Sequence, residues 1–117
     1  NGQKSSCHWA SLSPNGKKVA YYISAVGCFV CDIDGKHIQF IGHNCLAPVW
    51  YSDNIIVGCD TKDNGEVGLE SVIVAYSLDG KKQVLTNGEQ IAVFPQAANG
   101  KIAYSTSEGE IYIMNVK

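Results

Sequence analysis

Hydrophobic residues in this chain occur in short runs of about four to eight residues, separated by polar turn residues. The runs are rich in valine, isoleucine and aromatic residues, which favour β-strands. Four dipeptides supply the positive φ that tight hairpins require: Asn15-Gly16, Asp34-Gly35, Asp79-Gly80 and Asn99-Gly100. No stretch of about ten residues shows the 3.6-residue apolar period of an amphipathic helix. The pattern therefore predicts an all-β protein with almost no helix.

The runs also repeat along the chain. Residues 19–33 return as residues 102–116 without a gap, 83 positions later. Half of that offset is about 41, the period of a four-stranded propeller blade. A middle copy is present, because Trp50 lies 41 residues after Trp9 and residues 55–59 take the place of the strand that begins at Val19. The repeat predicts an all-β fold of β-propeller blades, three antiparallel meanders of which the last is incomplete.

The predicted blades form one partial propeller domain over residues 1–117. Blade 1 spans about residues 7–43, blade 2 about 44–88 and blade 3 about 89–117. The predicted strands lie near 8–12, 18–23, 28–33, 37–41, 46–51, 54–59, 71–78, 82–86, 90–95, 101–106 and 110–116. Blade 3 has three of them and lacks an outer strand. A soluble chain of this kind leaves apolar faces at both ends, so we expect it to self-associate or to be accompanied by missing blades of the same parent chain.

Two segments carry a family resemblance. Ser13-Pro14-Asn15-Gly16-Lys17-Lys18-Val19-Ala20-Tyr21, followed by Cys31-Asp32-Ile33-Asp34-Gly35-Lys36, resembles the blade repeat of TolB-type, WD-repeat-like propellers. The resemblance implies a circular array, commonly of about six blades, that serves mainly as a docking platform in the periplasm or outside the cell. The second and third copies depart from the Ser-Pro-Asp-Gly turn, with Ser52-Asp53-Asn54 and Gln96-Ala97-Ala98-Asn99-Gly100 in its place.

Composition excludes several classes of partner. Hydrophobic residues make up 45% of the chain and charged residues 17%, which is typical of a packed domain. The formal net charge is -2, and all nine basic residues are lysine, so the bidentate guanidinium that reads DNA is missing. We therefore expect no nucleic-acid partner. No apolar run approaches the roughly 20 residues that cross a bilayer, so we expect no membrane insertion.

Two segments, one on a predicted strand and one in a loop, have weak metal-binding patterns. Cys28 and Cys31, with His37, His43 and Cys45 nearby, superficially suggest zinc. Residues three apart on a strand point to opposite faces, so we expect neither a shared metal nor a disulfide between Cys28 and Cys31. The acidic loop from Asp60 to Ser71 loosely resembles a calcium loop, but its spacing is wrong and Lys62 opposes a cation. We interpret that loop as a solvated hairpin tip, and predict no metal and no cofactor.

Candidate binding residues are few. No motif of a hydrolase or metalloprotease occurs, so we predict no catalytic residues. His8 and His43 precede the innermost strands of blades 1 and 2, where loops approach a propeller's central channel, and Asn44 lies beside His43. These three residues are the predicted ligand-binding positions. Trp9, Trp50 and Phe94 occupy related positions in the three blades, where they form either a carbohydrate platform or, as large aromatics do in β cores, packing between blades.

Two classes of function follow. The first is a non-catalytic module that binds protein or peptide partners in the cell envelope. The alternative is the propeller portion of an enzyme whose catalytic part is absent here, either the gating domain of a serine peptidase or a polysaccharide lyase. Fold alone does not separate these two classes, because function resides in the site.

Overall fold

The computed structural model describes residues 7–63, 69–87 and 91–115, and all of its regular elements are β-strands. The strands are β1 (Cys7–Leu12), β2 (Lys18–Ile23), β3 (Gly27–Asp32), β4 (Gln39–Gly42), β5 (Leu46–Ser52), β6 (Ile55–Asp63), β7 (Leu69–Ser77), β8 (Lys82–Val84), β9 (Ala92–Ala98), β10 (Lys101–Thr106) and β11 (Ile111–Asn115). The predicted absence of helix is confirmed for these residues. Consequently none of them belongs to a helix that could cross a bilayer.

The strands form three antiparallel meanders. Sheet 1 contains β1 to β4 and sheet 2 contains β5 to β8, each in chain order, whereas sheet 3 contains only β9 to β11. Tight turns at Asp-Gly dipeptides reverse the chain in sheets 1 and 2. Gly35 and Gly80 adopt φ of 86° and 99°, and their amides donate to the carbonyls of Asp32 and Ser77. The predicted fold class, three meanders with the last incomplete, is confirmed.

The three sheets share one register. Pairing between the two middle strands starts at the first residue of β2, β6 and β10, so counting from there gives equivalent positions. We call one side of each sheet its leading face. It carries Tyr22, Ala20, Val30 and Cys28 in sheet 1, Cys59, Val57, Ala75 and Ile73 in sheet 2, and Ser105, Ala103, Ile113 and Ile111 in sheet 3. The opposite side, the trailing face, carries Leu12, Val19 and Cys31 in sheet 1, Trp50, Ile56 and Tyr76 in sheet 2, and Ala97, Ile102 and Met114 in sheet 3.

Two hydrophobic cores form where a leading face packs against the next trailing face. The first lies between sheets 1 and 2 and contains the buried residues Ala20, Cys28, Val30, Cys45, Trp50, Ile56, Val74 and Tyr76. The second lies between sheets 2 and 3 and contains Val57, Cys59, Ile73, Ala92 and Ile102. A single meander buries only one face, so each sheet needs its neighbour, which explains why the unit recurs.

Hydrogen bonds between the sheets fix their relative position. The Gln39 side-chain amide donates to the Leu78 carbonyl at 2.6 Å, at the outer strands of sheets 1 and 2. The Asn15 amide donates to the Asp53 carboxylate at 3.0 Å. Between sheets 2 and 3, the buried Ser71 hydroxyl donates to the Ala92 carbonyl at 2.6 Å. Directional bonds therefore add to the non-directional packing of the apolar faces.

Candidate functional site

Each of the three innermost strands is interrupted by a β-bulge at the same place. The ladder shifts register between His8 and Ser11 in β1 and between Leu46 and Val49 in β5, and β9 shifts against β10 between Val93 and Gln96. A bulge inserts an extra residue into one strand, bends it and re-aims the local side chains. The three bulges place Trp9, Ala47 and Phe94 at equivalent positions, where the backbone reaches φ of 57°, 52° and 53°.

Positive φ is uncommon for residues other than glycine, and it persists only where the surroundings hold it. Two of the three bulges contain a proline directly afterwards, Pro48 in β5 and Pro95 in β9, and both prolines are fully buried. Proline has no N–H to donate to a ladder, so within a sheet it is confined to edges, strand starts and bulges. The prolines and the buried cores behind them therefore account for the location of the bulges in sheets 2 and 3.

The bulges surround one depression of about 550 Å³. Its lining consists of three consecutive residues from each inner strand: Trp9, Ala10, Ser11, Ala47, Pro48, Val49, Phe94, Pro95 and Gln96. Strand β5 packs against both β1 and β9, so sheet 2 supplies the floor and sheets 1 and 3 supply the two walls. The depression is therefore built from equivalent parts of all three repeats.

The lining side chains are uncharged and mostly apolar, although polar atoms share the surface of the depression. Trp9 and Phe94 are 44% and 56% exposed, whereas Ala47 between them is almost completely buried. The indole of Trp9 packs against the Tyr22 ring, with 5.7 Å between ring centroids, which supports its orientation. Aromatic side chains on two walls with a methyl group on the floor leave a slot. The polar side-chain groups of the described lining are the Ser11 hydroxyl, the Gln96 amide and the Trp9 indole N–H, besides the backbone.

Of the residues predicted to bind a ligand, His43 and Asn44 do not line this depression. His43 and Asn44 are exposed in the connection between β4 and β5. The His43 Nδ1 lies 3.0 Å from the Val26 carbonyl, and its ring packs edge-on against Phe40 at 4.9 Å. His8 belongs to β1, but its side chain lies outside the described part of the structure. Ligand binding by these three residues therefore stays a prediction.

The interpretation of Trp9 and Trp50 as equivalent residues is wrong. Trp50 lies opposite Ile56, just as Leu12 lies opposite Val19, so Leu12 is the counterpart of Trp50 and Ala47 is the counterpart of Trp9. Trp50 is only 5% exposed and packs in the core between sheets 1 and 2. Packing between repeats, one of the two predicted roles, therefore holds for Trp50. Trp9 and Phe94 face the depression instead.

The cysteines lie in two different environments. Cys28 packs in the core between sheets 1 and 2, whereas Cys31 lines the trailing face of sheet 1, so the predicted opposite orientation on β3 is confirmed. The five thiols are free. A hydrogen bond with the Cys28 thiol, together with burial, raises the pKa of the Cys45 thiol well above its usual range. Burial also raises the pKa of Cys59. The His37 ring is exposed, and its Nδ1 lies 2.7 Å from the Asp32 carboxylate.

The segment from Asp60 to Ser71 differs from its prediction as a solvated loop. Strand β6 extends to Asp63 and β7 begins at Leu69, so residues 60–63 and 69–71 belong to strands, whereas residues 64–68 lie outside the described residues. Asp60 is 6% exposed, and its Oδ2 lies 3.2 Å from the Lys82 ammonium. Partial burial acts to lower the pKa of Lys82, but the hydrogen bond to Asp60 and the electrostatic interactions with Tyr76 and Asp60 together outweigh it, so that pKa is raised. Among the described residues, no three His, Cys, Asp or Glu side chains are grouped closely enough to hold a metal ion.

Sequence reasoning missed the depression because it searched for chemically reactive residues. The available signal was Pro48 and Pro95 inside otherwise strand-like runs, which indicates a bulge, with an aromatic residue just before Pro95. No protein-family model matches the chain, and no curated protein matches it significantly. The depression and its lining therefore carry the functional argument.

Proposed function

We propose that this chain is a non-catalytic binding module of the TolB-type propeller class that binds protein or peptide partners. The depression between Trp9 and Phe94 receives an extended, uncharged segment of the partner. The observation that carries the proposal is that equivalent bulges of all three repeats converge on this one depression. The sequence resemblance suggests a periplasmic or secreted location in the cell envelope.

The lining favours a neutral, apolar ligand segment. A charged group entering the depression would lose hydration and meet no opposite charge, because none of the nine lining residues is ionisable. Aromatic walls instead suit proline and aliphatic side chains, as in grooves that recognise extended proline-containing peptides. Trp9, Ala47 and Phe94 all line the depression, and the Ser11 hydroxyl and Gln96 amide in the same lining are available to the ligand backbone.

Binding is favoured over catalysis by the same lining. Among the described lining residues, Ser11 is the single nucleophilic side chain, and none of them is a histidine or a carboxylate that could activate it. Hydrolysis by side chains alone requires an activated nucleophile or an acid–base pair, and the described lining contains neither. A gating or lyase role for the parent protein would have to use residues other than those of the depression.

Titration with a defined peptide tests the proposal. The probe is acetyl-Leu-Pro-Leu-Pro-Leu-Pro-amide, and the signal is tryptophan emission, because Trp50 is buried and Trp9 lies in the depression. We expect saturable binding that weakens about tenfold in Phe94→Ala, since one stacked aromatic wall is lost. Phe40→Ala removes an exposed aromatic outside the depression and should leave the affinity unchanged.

Charged peptides and a sugar test whether the depression selects a neutral peptide. The same peptide with a central lysine or glutamate should bind at least about tenfold more weakly, because the charge would be desolvated without a partner. Failure of the neutral peptide to bind, or equal affinity for the charged peptides, would contradict the proposal. Saturable binding of maltohexaose that is lost in Phe94→Ala would replace the peptide with a carbohydrate ligand and overturn the proposed partner class.

A further inference from the structure

The interface between sheets 1 and 2 and the interface between sheets 2 and 3 have the same arrangement. In both, the leading face of a sheet packs against the trailing face of the next sheet, and equivalent positions meet. Cys28 and Val30 of sheet 1 are buried against Trp50 and Ile56 of sheet 2. Ile73 of sheet 2, equivalent to Cys28, is completely buried in the core shared with sheet 3. The chain therefore shows twice which kind of surface covers a leading face.

Positions that are buried between neighbouring sheets are exposed on the outward faces of sheets 1 and 3. Ile111 and Ile113, on the leading face of sheet 3, are each 69% exposed. They occupy the positions of Cys28 and Val30, which are 0% and 2% exposed. Leu12, on the trailing face of sheet 1, is 61% exposed, although its counterpart Trp50 is buried. Contiguous apolar side chains of this size mark interaction surfaces in soluble proteins.

The two exposed faces are largely apolar and differ in relief. The trailing face of sheet 1 contains a depression of about 540 Å³ lined mainly by apolar residues, among them Val19, Tyr21 and Ile38. The leading face of sheet 3 instead carries two exposed isoleucine side chains on β11, opposite the small residues Ala103 and Ser105.

We propose that a second copy of this chain covers these faces, with the trailing face of its sheet 1 packed against the leading face of sheet 3 of the first copy. The rule of the internal interfaces requires a trailing face as the partner, and the exposed one among the described residues belongs to sheet 1. Sheet 2 lies between sheets 1 and 3, so the two exposed faces cannot cover each other within one copy. Such a contact is heterologous, because different surfaces of the two copies meet.

The contact would also extend the binding depression. Trp9 and Phe94 lie on the inner strands of the two end sheets, so a docked copy continues the row of bulges beyond them. The proposal rests on the packing of faces and not on any ligand, and its test requires no peptide. Failure of the peptide titration and failure of self-association are therefore distinguishable.

Sedimentation velocity of the 117-residue chain from low to high micromolar concentration provides the test. We expect the wild-type chain to associate. Leu12→Lys blocks the trailing face of sheet 1, and Ile113→Lys blocks the leading face of sheet 3, so each variant alone should be monomeric. An equimolar mixture should form a dimer, because it still contains one intact face of each kind, on different chains.

The mixture also controls for misfolding, since a chain that fails to fold cannot restore association. Val84→Lys changes an exposed apolar residue on the outer strand of sheet 2 and should associate as the wild type does. A monomeric wild-type chain at high micromolar concentration would overturn the proposal. Association that survives Leu12→Lys but not Ile113→Lys would also overturn it, because that result indicates a symmetric contact between two copies of sheet 3.

Discussion

The indole Nε1 of Trp50 donates a 2.8 Å hydrogen bond to the backbone carbonyl of Ser11, which lies in the inner strand of the neighbouring sheet. The ring of Trp50 fills the core between sheets 1 and 2, so one side chain supplies both packing and a directional link. Buried tryptophans usually satisfy their N–H in this way. Trp50 is therefore the side chain on which the alignment of the first two sheets depends most directly.

Trp50→Ala should lower the free energy of unfolding by about 3–5 kcal/mol, because truncating a large buried aromatic leaves a cavity. Trp50→Phe retains most of the packing, loses the bond to Ser11, and should cost less than the alanine variant, with about 1 kcal/mol attributable to that bond. Urea denaturation measures both values. Trp9→Ala is the matched control and should cost less than about 1 kcal/mol, since its ring is half exposed. An equally small loss for Trp50→Ala would show that the indole is not part of the core.

Gly58→Ala should destabilise the protein by about 1–3 kcal/mol through overpacking. An added Cβ would overlap the Cys45 Sγ and would lie 2.9 Å from the Leu46 carbonyl oxygen. Sheets 1 and 3 carry Tyr21 and Tyr104 at this position, so the restriction is specific to sheet 2. Thermal unfolding checks the effect. Adding Cys45→Ala should recover part of the loss, and a Gly58→Ala variant as stable as the wild type would contradict this packing.

Stability should fall as the pH rises above about 8.5, the ordinary thiol pKa. The pKa of Cys45 is raised in the folded chain by its bond with Cys28 and by burial, so the unfolded chain releases this proton first. The folded state then binds more protons than the unfolded state, and the free energy of unfolding decreases with pH. One such thiol contributes a slope of at most about 1.4 kcal/mol per pH unit.

Cys45→Ala should therefore flatten the alkaline decline, measured by urea denaturation between neutral and alkaline pH. Cys7→Ala is the control, because that side chain is exposed, and it should leave the slope unchanged. An identical alkaline slope in the wild type and Cys45→Ala would refute the assignment to Cys45.

Removing Lys82 alone should destabilise the protein more than replacing both Asp60 and Lys82 with apolar residues. Asp60 Oδ1 is buried without a hydrogen-bond partner in the described structure, so the carboxylate depends on Lys82. Lys82→Met should cost about 1–3 kcal/mol, because it leaves that carboxylate uncompensated. The double variant Asp60→Leu/Lys82→Met should recover most of this loss, since an apolar replacement of similar volume needs no partner. A double variant less stable than Lys82→Met alone, measured in urea, would contradict this explanation.

The strands and turns could be predicted from the sequence because local chemistry determines them. Alternating β-branched and aromatic residues and the Asp-Gly dipeptides carry that information within a few residues of each element. All eleven strands overlap their predicted ranges. The largest departures are β4, which begins two residues later, β6, which ends four residues later, β7, which begins two residues earlier, β8, which ends two residues earlier, and β9, which begins two and ends three residues later than predicted. The longer β6–β7 hairpin was missed because Asp60 and Thr61 are polar, although they continue the ladder opposite Val72 and Ser71.

The candidate site was harder to predict, because it depends on how strands are displaced relative to one another. The 41-residue spacing between the two tryptophans is accidental, since the distance between equivalent positions differs from one sheet to the next. Register pairs, which the sequence does not show, align Trp50 with Leu12 instead. The local sequence also does not predict the positive φ of Ala47 and Phe94. Neither residue type favours that conformation, and each residue precedes a proline.

The bulges have a consequence for how this scaffold can diversify. The two cores lie behind the inner strands and hold the backbone bulges in place, whereas the half-exposed side chains of Trp9 and Phe94 line the depression and belong to neither core. Exchanging these side chains alters the walls of the depression and keeps both cores, although exchanging Trp9 removes its contact with the Tyr22 ring. A lineage built on this repeat is thus able to change its molecular partners by point mutation at two positions, without first gaining stability elsewhere.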